Sequence, residues 1–168
     1  LKVHQEHSGK KLQYFDPELQ ESYVPYVVET SIGLDRMFLS ILSHSFCEEE
    51  LENGESRVVL KIPAVLTPIK AAILPLTKKD SMPDKAREIM KMLQVDFNCQ
   101  YEEKDSIGKR YRRQDAIGTP LCITVDHQTL EDNTVTLRDR DTMTQERISV
   151  EKLHSIITNK VTATNYLS

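Results

Sequence analysis

The densest cluster of basic side chains lies at Lys109–Arg113, where four cations surround one tyrosine in the run KRYRR. Guanidinium groups bind phosphates through paired hydrogen bonds, and a tyrosine ring can stack on an unpaired base. On a helix the cations spread over more than one face, so some of them must project into solvent. This pattern indicates a small nucleic-acid interface. The alternative is a solvated helix whose cations pair with nearby carboxylates, namely Glu102, Glu103, Asp105 and Asp115.

A second group of charged residues alternates in sign along Leu137–Asp141, with the sequence LRDRD. An arginine held by a neighbouring aspartate is already oriented, and such a side chain can read the edges of bases. The alternative is that these charges only stabilise a turn at the end of a strand.

A third group, ETSIGLDR, occupies Glu29–Arg36. Here a strand would deliver a carboxylate and a hydroxyl, a glycine would break the strand, and the next helix would carry an arginine in its first turn. That arrangement could hold a small ammonium-bearing ligand beside a phosphate. The alternative is structural, with Glu29 ending a strand, Ser31 capping a helix and Arg36 lying on the surface.

Composition excludes several other function classes. The chain has 168 residues and a formal net charge of −4, so contact with a nucleic acid must come from a local patch. No apolar run is long enough to cross a bilayer, and we expect no membrane. Three widely spaced cysteines predict neither a metal site nor a disulfide framework and favour a reducing compartment. The nucleophile-elbow, P-loop and dinucleotide-binding motifs are absent.

The first third of the chain must position the Glu29–Arg36 group. The β-branched and aromatic run Tyr23–Glu29 predicts a strand, and apolar residues recur at helical spacing from Leu34 to Phe46, with Ser31 as the N-cap. The acidic run Cys47–Ser56 is predicted to be a surface loop. A strand over Arg57–Ile62 follows, and a stretch without periodicity between two prolines then marks the candidate domain boundary.

Beyond this boundary, strands and helices alternate. The predicted elements are a strand at Lys70–Leu76, a helix at Pro83–Leu93, a strand at Asp96–Tyr101, a helix at Ser106–Ile117, strands at Leu121–Val125, Thr134–Leu137 and Glu146–Val150, and a last helix capped by Ser149. This order predicts an α/β fold with a mixed β-sheet flanked by helices.

The three groups together resemble the glycine–tRNA ligase family of class II aminoacyl-tRNA synthetases. Val28–Arg36 (VETSIGLDR) is similar to motif 3 in its glycine-specific form, and residues 1–22 resemble the segment that precedes it. The stretches PAVLTPIKAAILPL, SIGKRYRRQDAIGTPLCITVD and TVTLRDRDTMTQERI look like successive signatures of the anticodon-binding domain of that family. The resemblance covers nearly the whole chain, in the family's order, and is closer to the dimeric type than to the tetrameric bacterial enzyme.

This resemblance implies two domains and a set of residue roles. Residues 1–65 would be the end of the catalytic domain, a strand–helix remnant of its antiparallel sheet, and residues 66–168 would be the anticodon-binding domain. Glu29 would hold the glycine ammonium group, Ser31 would exclude larger amino acids, Gly33 would let the helix start close to the adenine, and Arg36 would bind the ATP γ-phosphate. Lys109, Arg110, Arg112 and Arg113 would contact the anticodon stem-loop backbone, and Asp115, Arg138 and Arg140 would read its bases. The family commonly has proline at the position of Thr30, and threonine there frees a backbone donor and loosens the turn.

The resemblance also implies partners. The whole enzyme would be a cytoplasmic homodimer that activates glycine with ATP and Mg²⁺ and transfers it to tRNA(Gly), without binding DNA. Motifs 1 and 2 do not occur in this sequence, so we expect this chain alone to be inactive and to hold no cofactor. The unpaired helix face at Leu34, Phe38, Ile41 and Leu42 would be covered by self-association or by the anticodon domain.

Two alternatives stay open at the level of the sequence. One is a free-standing RNA-binding or polymerase-accessory module, which would have no need of Glu29, Ser31 and Arg36. The other is a doubly wound domain that binds a small ligand at its strand ends, which leaves the basic helix unexplained.

Overall fold

A computed structural model describes residues 1–51, 54–79 and 81–163. The chain divides into two compact units, Leu1–Met37 and Phe38–Ser168. The predicted division into residues 1–65 and 66–168 stays a prediction.

The first unit contains one short helix and one short hairpin. Helix α1 spans Lys2–Ser8, and strands β1 (Tyr14–Asp16) and β2 (Glu21–Tyr23) pair antiparallel. The Asp16 carboxylate accepts hydrogen bonds from the backbone N–H groups of residues 18 and 19, which fixes the turn between the two strands. The predicted strand Tyr23–Glu29 is wrong, because regular structure ends at Tyr23 and residues 24–33 form neither helix nor strand. Pro25 lacks a backbone donor, and no strand among the described residues pairs with this segment.

Helix α2 spans Leu34–Ser45 and confirms the helical spacing of the apolar residues. The prediction that Ser31 caps this helix is wrong, since the Gly33 carbonyl accepts the first backbone hydrogen bond, from the N–H of Met37, at 3.0 Å. Part of the apolar face stays open, with Leu34 79% and Phe38 64% exposed. Ile41 and Leu42 are half-buried.

The second unit begins its β-structure with an acidic hairpin. Strand β3 (Phe46–Glu50) pairs antiparallel with β4 (Ser56–Leu60), and Glu49 lies opposite Arg57. The predicted strand at Arg57–Ile62 is therefore confirmed. The predicted surface loop at Cys47–Ser56 is wrong in its first part, and residues 52 and 53 of that loop lie outside the described residues. The acidic run tolerates the extended conformation because Arg57 and Lys61 both contact Glu49.

A five-stranded mixed sheet with strand order β6-β5-β7-β8-β9 forms the centre of the second unit, which confirms the predicted fold class. Its strands are β5 (Ala71–Pro75), β6 (Cys99–Tyr101), β7 (Leu121–Val125), β8 (Thr134–Asp139) and β9 (Gln145–Ser149). Strands β5, β6 and β7 run parallel, while β8 and β9 are antiparallel to their neighbours. The carboxyl ends of the three parallel strands therefore lie along one edge of the sheet.

The helices lie on both faces of this sheet. They are α3 (Met82–Leu93), α4 (Ile107–Ile117), α5 (His127–Asp132), a 3-10 turn at Val150–Lys152, and α6 (Leu153–Val161). The larger apolar core joins α3 and α6 to one face, and a smaller one joins Ile107 and Tyr111 of α4 to Ala72, Leu74 and Cys122 on the other face. The boundaries of α3 and α4 are close to those predicted.

Candidate nucleic-acid interface

Helix α4 directs its four basic side chains in different directions. Arg110 points inward and is 2% exposed. Its guanidinium donates hydrogen bonds to the carbonyl oxygens of Pro75 at 2.6 Å, Leu76 at 3.3 Å and Glu102 at 3.2 Å. These carbonyls lie just where β5 and β6 end. Arg110 therefore fastens the first turn of α4 to the carboxyl edge of the sheet, and it presents no exposed donor to a ligand.

The other three cations of α4 remain accessible. Arg113 donates to Glu102, to Asp105 at 2.9 Å and to the Lys104 carbonyl at 2.8 Å, and its side chain is 42% exposed. Hydrogen bonding from Arg113 lowers the pKa of Asp105 below its ordinary value. Arg112 donates a hydrogen bond from Nη2 to Glu55 at 3.2 Å. Ion pairs exposed to solvent in this way are weak, so an RNA phosphate can compete for both arginines.

Lys109 is exposed and makes no hydrogen bond or ion pair within the described residues. It lies in the first turn of α4, beside the edge where the parallel strands end. Three further exposed lysines follow those strands, Lys78 and Lys79 after β5 and Lys104 after β6. We call Lys78, Lys79, Lys104 and Lys109 the basic edge. The sequence gives no sign of the first three as a group, because they lie in separate loops that only the parallel pairing of β5 with β6 brings together.

The three residues predicted to read bases form a buried cluster. Asp115 of α4 is 0% exposed. It accepts two hydrogen bonds from Arg138 of β8, at 2.7 and 2.9 Å, and one from Arg57 of β4 at 3.0 Å. Arg57 also donates to Glu49 at 2.7 Å and to the Arg140 carbonyl at 3.1 Å. The cluster therefore joins the acidic hairpin, the basic helix and the sheet.

Arg140 completes this cluster from the end of β8. Its guanidinium donates to the carbonyls of Leu60 at 3.0 Å and Gly118 at 2.8 Å, and to both carboxylate oxygens of Asp141. Gly118 ends α4 with φ +86°, and a Cβ there would lie 3.0 Å from the Leu60 carbonyl oxygen. This close approach of hairpin and helix requires a glycine.

A base can reach Asp115, Arg138 or Arg140 only if these buried contacts open. Arg138 is covered further by Tyr111, whose ring lies 4.8 Å from the guanidinium carbon and whose hydroxyl bonds Thr124 at 2.6 Å. Burial alone would lower the pKa of Arg138, but the hydrogen bonds to Asp115 and the charge interactions with Asp115 and its neighbours together outweigh it, and the pKa is raised. The prediction that these residues read bases is untested, and their geometry favours a positioning role.

The motif 3-like residues all lie in the first unit. Glu29, Ser31 and Arg36 are exposed, and no hydrogen bond or ion pair joins their side chains to another described residue. Arg36 occupies the first turn of α2, as expected. A Cβ on Gly33 would meet only the Arg36 side chain, at an ordinary contact distance of 3.6 Å, so local packing does not require glycine there.

The described part of the chain offers little support for a reactive cysteine, a metal site or a membrane span. Burial raises the pKa of the Cys122 thiol to about 12 and that of Cys99 to about 11, so neither is a thiolate nucleophile at neutral pH. Within the described ranges, no three His, Cys, Asp or Glu side chains are grouped as metal ligands would be. An open cavity of about 500 Å³ is lined by Leu121, which begins β7, and so lies away from the carboxyl edge. Across residues 1–51, 54–79 and 81–163, no helix has the length and apolar character of a membrane span.

Comparison with known proteins assigns the class of this domain. Residues 70–160 match the family described as "Anticodon binding domain". This range contains the whole five-stranded sheet, the basic edge and helix α4. The chain belongs to this family.

The similar proteins among curated sequences are glycine–tRNA ligases. The chain is 55% identical to that of Clostridium tetani over 161 residues, which cover 96% of this chain and 34% of the relative. It is 52% identical to the enzyme of Clostridium acetobutylicum and 50% identical to that of Chlorobaculum tepidum, with the same coverage. These findings confirm the resemblance to glycine–tRNA ligases. The chain spans about a third of the length of these relatives.

Proposed function

We propose that this chain is the tRNA-recognising part of a glycine–tRNA ligase and that its partner is the anticodon stem-loop of tRNA(Gly). The basic edge carries this proposal, because it collects exposed cations beside α4 in a chain whose formal net charge is −4. Phosphate contacts fix the position of a protein on RNA, and they need accessible lysines and arginines. The accessible set is Arg112 and Arg113 together with the four lysines of the basic edge.

The buried cations have a different role in this proposal. Arg110 and the Asp115–Arg138 pair hold α4 against the sheet, and Arg140 holds the acidic hairpin to the end of α4. Because these contacts lie inside the protein, they fix the positions of the exposed cations in the absence of RNA. A preorganised surface loses less conformational entropy on binding than a flexible one.

The activity of the whole enzyme is also a proposal. It is the activation of glycine with ATP and Mg²⁺, followed by transfer of glycine to tRNA(Gly), in a cytoplasmic homodimer. In this chain Arg36 would hold the ATP γ-phosphate and Glu29 the glycine ammonium group, with Ser31 and Gly33 beside them. Both charged side chains are exposed and lack a described partner, which suits groups that await a ligand. Because this set supplies a single arginine and motif 2 is absent from the sequence, we expect no ATP–pyrophosphate exchange by the chain alone. Exchange above background would contradict this expectation.

A non-catalytic RNA-binding module is the second candidate. Such a protein would bind RNA through the same basic edge, so RNA binding does not separate the two. The segment Val28–Arg36 separates them, because a module without catalysis has no use for its carboxylate, hydroxyl and arginine. The match to glycine–tRNA ligases extends over this segment as well as over the anticodon domain, which favours the ligase.

Binding of an anticodon stem-loop RNA at several salt concentrations tests the RNA-binding role. If about four phosphates are neutralised, log affinity falls with log salt with a slope near −3, at about 0.7 per contact. The variant with all four basic-edge lysines changed to glutamine should bind more weakly and with a shallower slope. The control variant, Lys91→Gln with Lys152→Gln, removes exposed lysines elsewhere on the domain and should change neither. An unchanged slope in the basic-edge variant would refute this assignment.

A further inference from the structure

Part of the sheet face beside α4 carries polar side chains instead of an apolar core. On strands β8 and β9 the side chains of Val135, Leu137 and Ile148 belong to the core on the opposite face. Thr134 and Thr136 of β8 and Arg147 of β9 alternate with them and are half-buried. Thr136 pairs with Thr124 on one side and with Arg147 on the other, so a polar row crosses three strands.

Arg147 is held in this row by five hydrogen bonds. Its Nε donates to Thr134 Oγ1 at 2.6 Å. Its Nη1 donates to Asp126 Oδ2 at 2.6 Å and to Thr136 Oγ1 at 3.2 Å, and its Nη2 donates to Asp126 Oδ1 at 2.9 Å and to the Thr134 carbonyl at 3.1 Å. A guanidinium has five N–H donors, so all of them are engaged. The side chain nevertheless remains 26% exposed.

A guanidinium in this state can bind a ligand in only one way. A phosphate or a base edge needs free N–H donors in the plane of the group, and none is left. The flat face carries no donor, and it can stack on a planar ring. Unpaired RNA bases are recognised in this manner on arginine planes as well as on aromatic rings.

The position of Arg147 relates it to the basic edge. Asp126, which holds both Nη atoms, directly follows the last residue of β7, and the carboxyl end of β7 lies beside that of β5. The basic edge begins in the loop that follows β5. An RNA loop whose phosphates contact these lysines can therefore place a base on the neighbouring polar row.

We propose that Arg147 is a stacking platform for one unpaired base of the bound RNA loop, and that Asp126, Thr134 and Thr136 are positioning residues that hold it flat. This proposal rests on the proposed function and adds a residue to which the sequence motifs assigned no role. It also supplies a base contact that does not require the buried Asp115–Arg138 pair to open.

The test combines Arg147→Lys with RNA loops in which one nucleotide at a time is made abasic. Lysine keeps the charge and removes the flat group. Stacking is worth about 1–3 kcal/mol per base, which corresponds to a loss of about 5- to 150-fold in affinity for the intact loop. At one loop position, removal of the base should weaken the wild type by a similar factor and leave Arg147→Lys unaffected. The salt slope should stay the same.

Arg87→Lys is the matched control, because Arg87 is an exposed arginine on α3, which packs on the opposite face. Circular dichroism shows whether Arg147→Lys is folded. If it is not, the double variant Asp126→Asn with Arg147→Leu replaces it, because this variant keeps the net charge and asparagine still caps the N-terminus of α5. If Arg147→Lys binds the intact loop with wild-type affinity, the platform is overturned. It is also overturned if Arg147→Lys loses the same factor of affinity for every abasic loop and shows a shallower salt slope. No binding of any loop by the wild type would overturn the proposed function, and the platform with it.

Discussion

Replacement of Asp115 by asparagine tests the buried cluster that joins hairpin, helix and sheet. The carboxylate is fully buried and accepts three hydrogen bonds from two guanidinium groups, at 2.7, 2.9 and 3.0 Å. Asparagine keeps the shape but leaves Arg57 and Arg138 without their common counter-charge, and its amide N–H groups would face their donors. Removing one partner of a buried ion pair costs about 3–5 kcal/mol, and we expect a loss of that size in the free energy of unfolding.

Urea unfolding followed by far-ultraviolet circular dichroism measures this loss, because the chain has no tryptophan to report on unfolding. Glu88→Gln is the control, since Glu88 pairs with Lys85 on the surface of α3, where such pairs contribute about 0.2–0.5 kcal/mol. The double variant Asp115→Asn with Arg138→Gln should lose at least about 0.5 kcal/mol less than the sum of the single variants. A loss below about 1 kcal/mol in the free energy of unfolding of Asp115→Asn would refute the prediction that this carboxylate holds the buried cluster together.

The remaining predictions concern stability and association. Burial alone would raise the pKa values of Asp126 and Asp139, but their hydrogen bonds outweigh it and both pKa values are lowered. The two carboxylates therefore stabilise the folded state at pH values above the pKa of aspartate in the unfolded chain, about 3.9. Tm should fall as pH drops below about 4, and it should fall less steeply in Asp139→Asn. A Tm independent of pH between about 5 and 3 would contradict this prediction. Gly118→Ala, which places a Cβ against a carbonyl oxygen at positive φ, should cost about 1–2 kcal/mol or more in urea unfolding, and an unchanged midpoint would count against that close approach. If exposed Phe38 is covered by self-association, Phe38→Ser should shift the sedimentation of the chain towards the monomer, whereas a monomeric wild type would exclude this explanation.

Local patterns predicted most of the sheet domain. Strand β7 was predicted with its observed bounds because a short, mostly apolar run between turn residues is typical of a buried strand. Helix α5 was missed because six residues are too few to show periodicity, although its capping box, in which Asp126 bonds Thr129, was a readable signal. Strand β3 was misread as a loop, since its acidic side chains depend on Arg57 across the hairpin, and this pairing is not visible in the local sequence.

The direction of each arginine could not be predicted from the run KRYRR. Arg110 is buried because carbonyls at residues 75 and 76, more than thirty positions earlier, converge on it. Arg147 lies within the stretch TVTLRDRDTMTQERI, but the sequence assigned it no role, because its partners come from two other segments of the chain. The sequence therefore singled out helix α4 as a candidate interface, and this stays a prediction. Long-range packing decides which members of its charged groups are exposed and which are buried.

The most direct test of the account is the titration of this chain with tRNA(Gly) and with the same tRNA carrying a changed second or third anticodon base. The account predicts that the base change weakens binding by about 1–3 kcal/mol while the salt slope stays near −3, because the phosphate contacts are retained. Equal affinity for both tRNAs would show that the domain holds only the backbone and would contradict anticodon recognition by this chain.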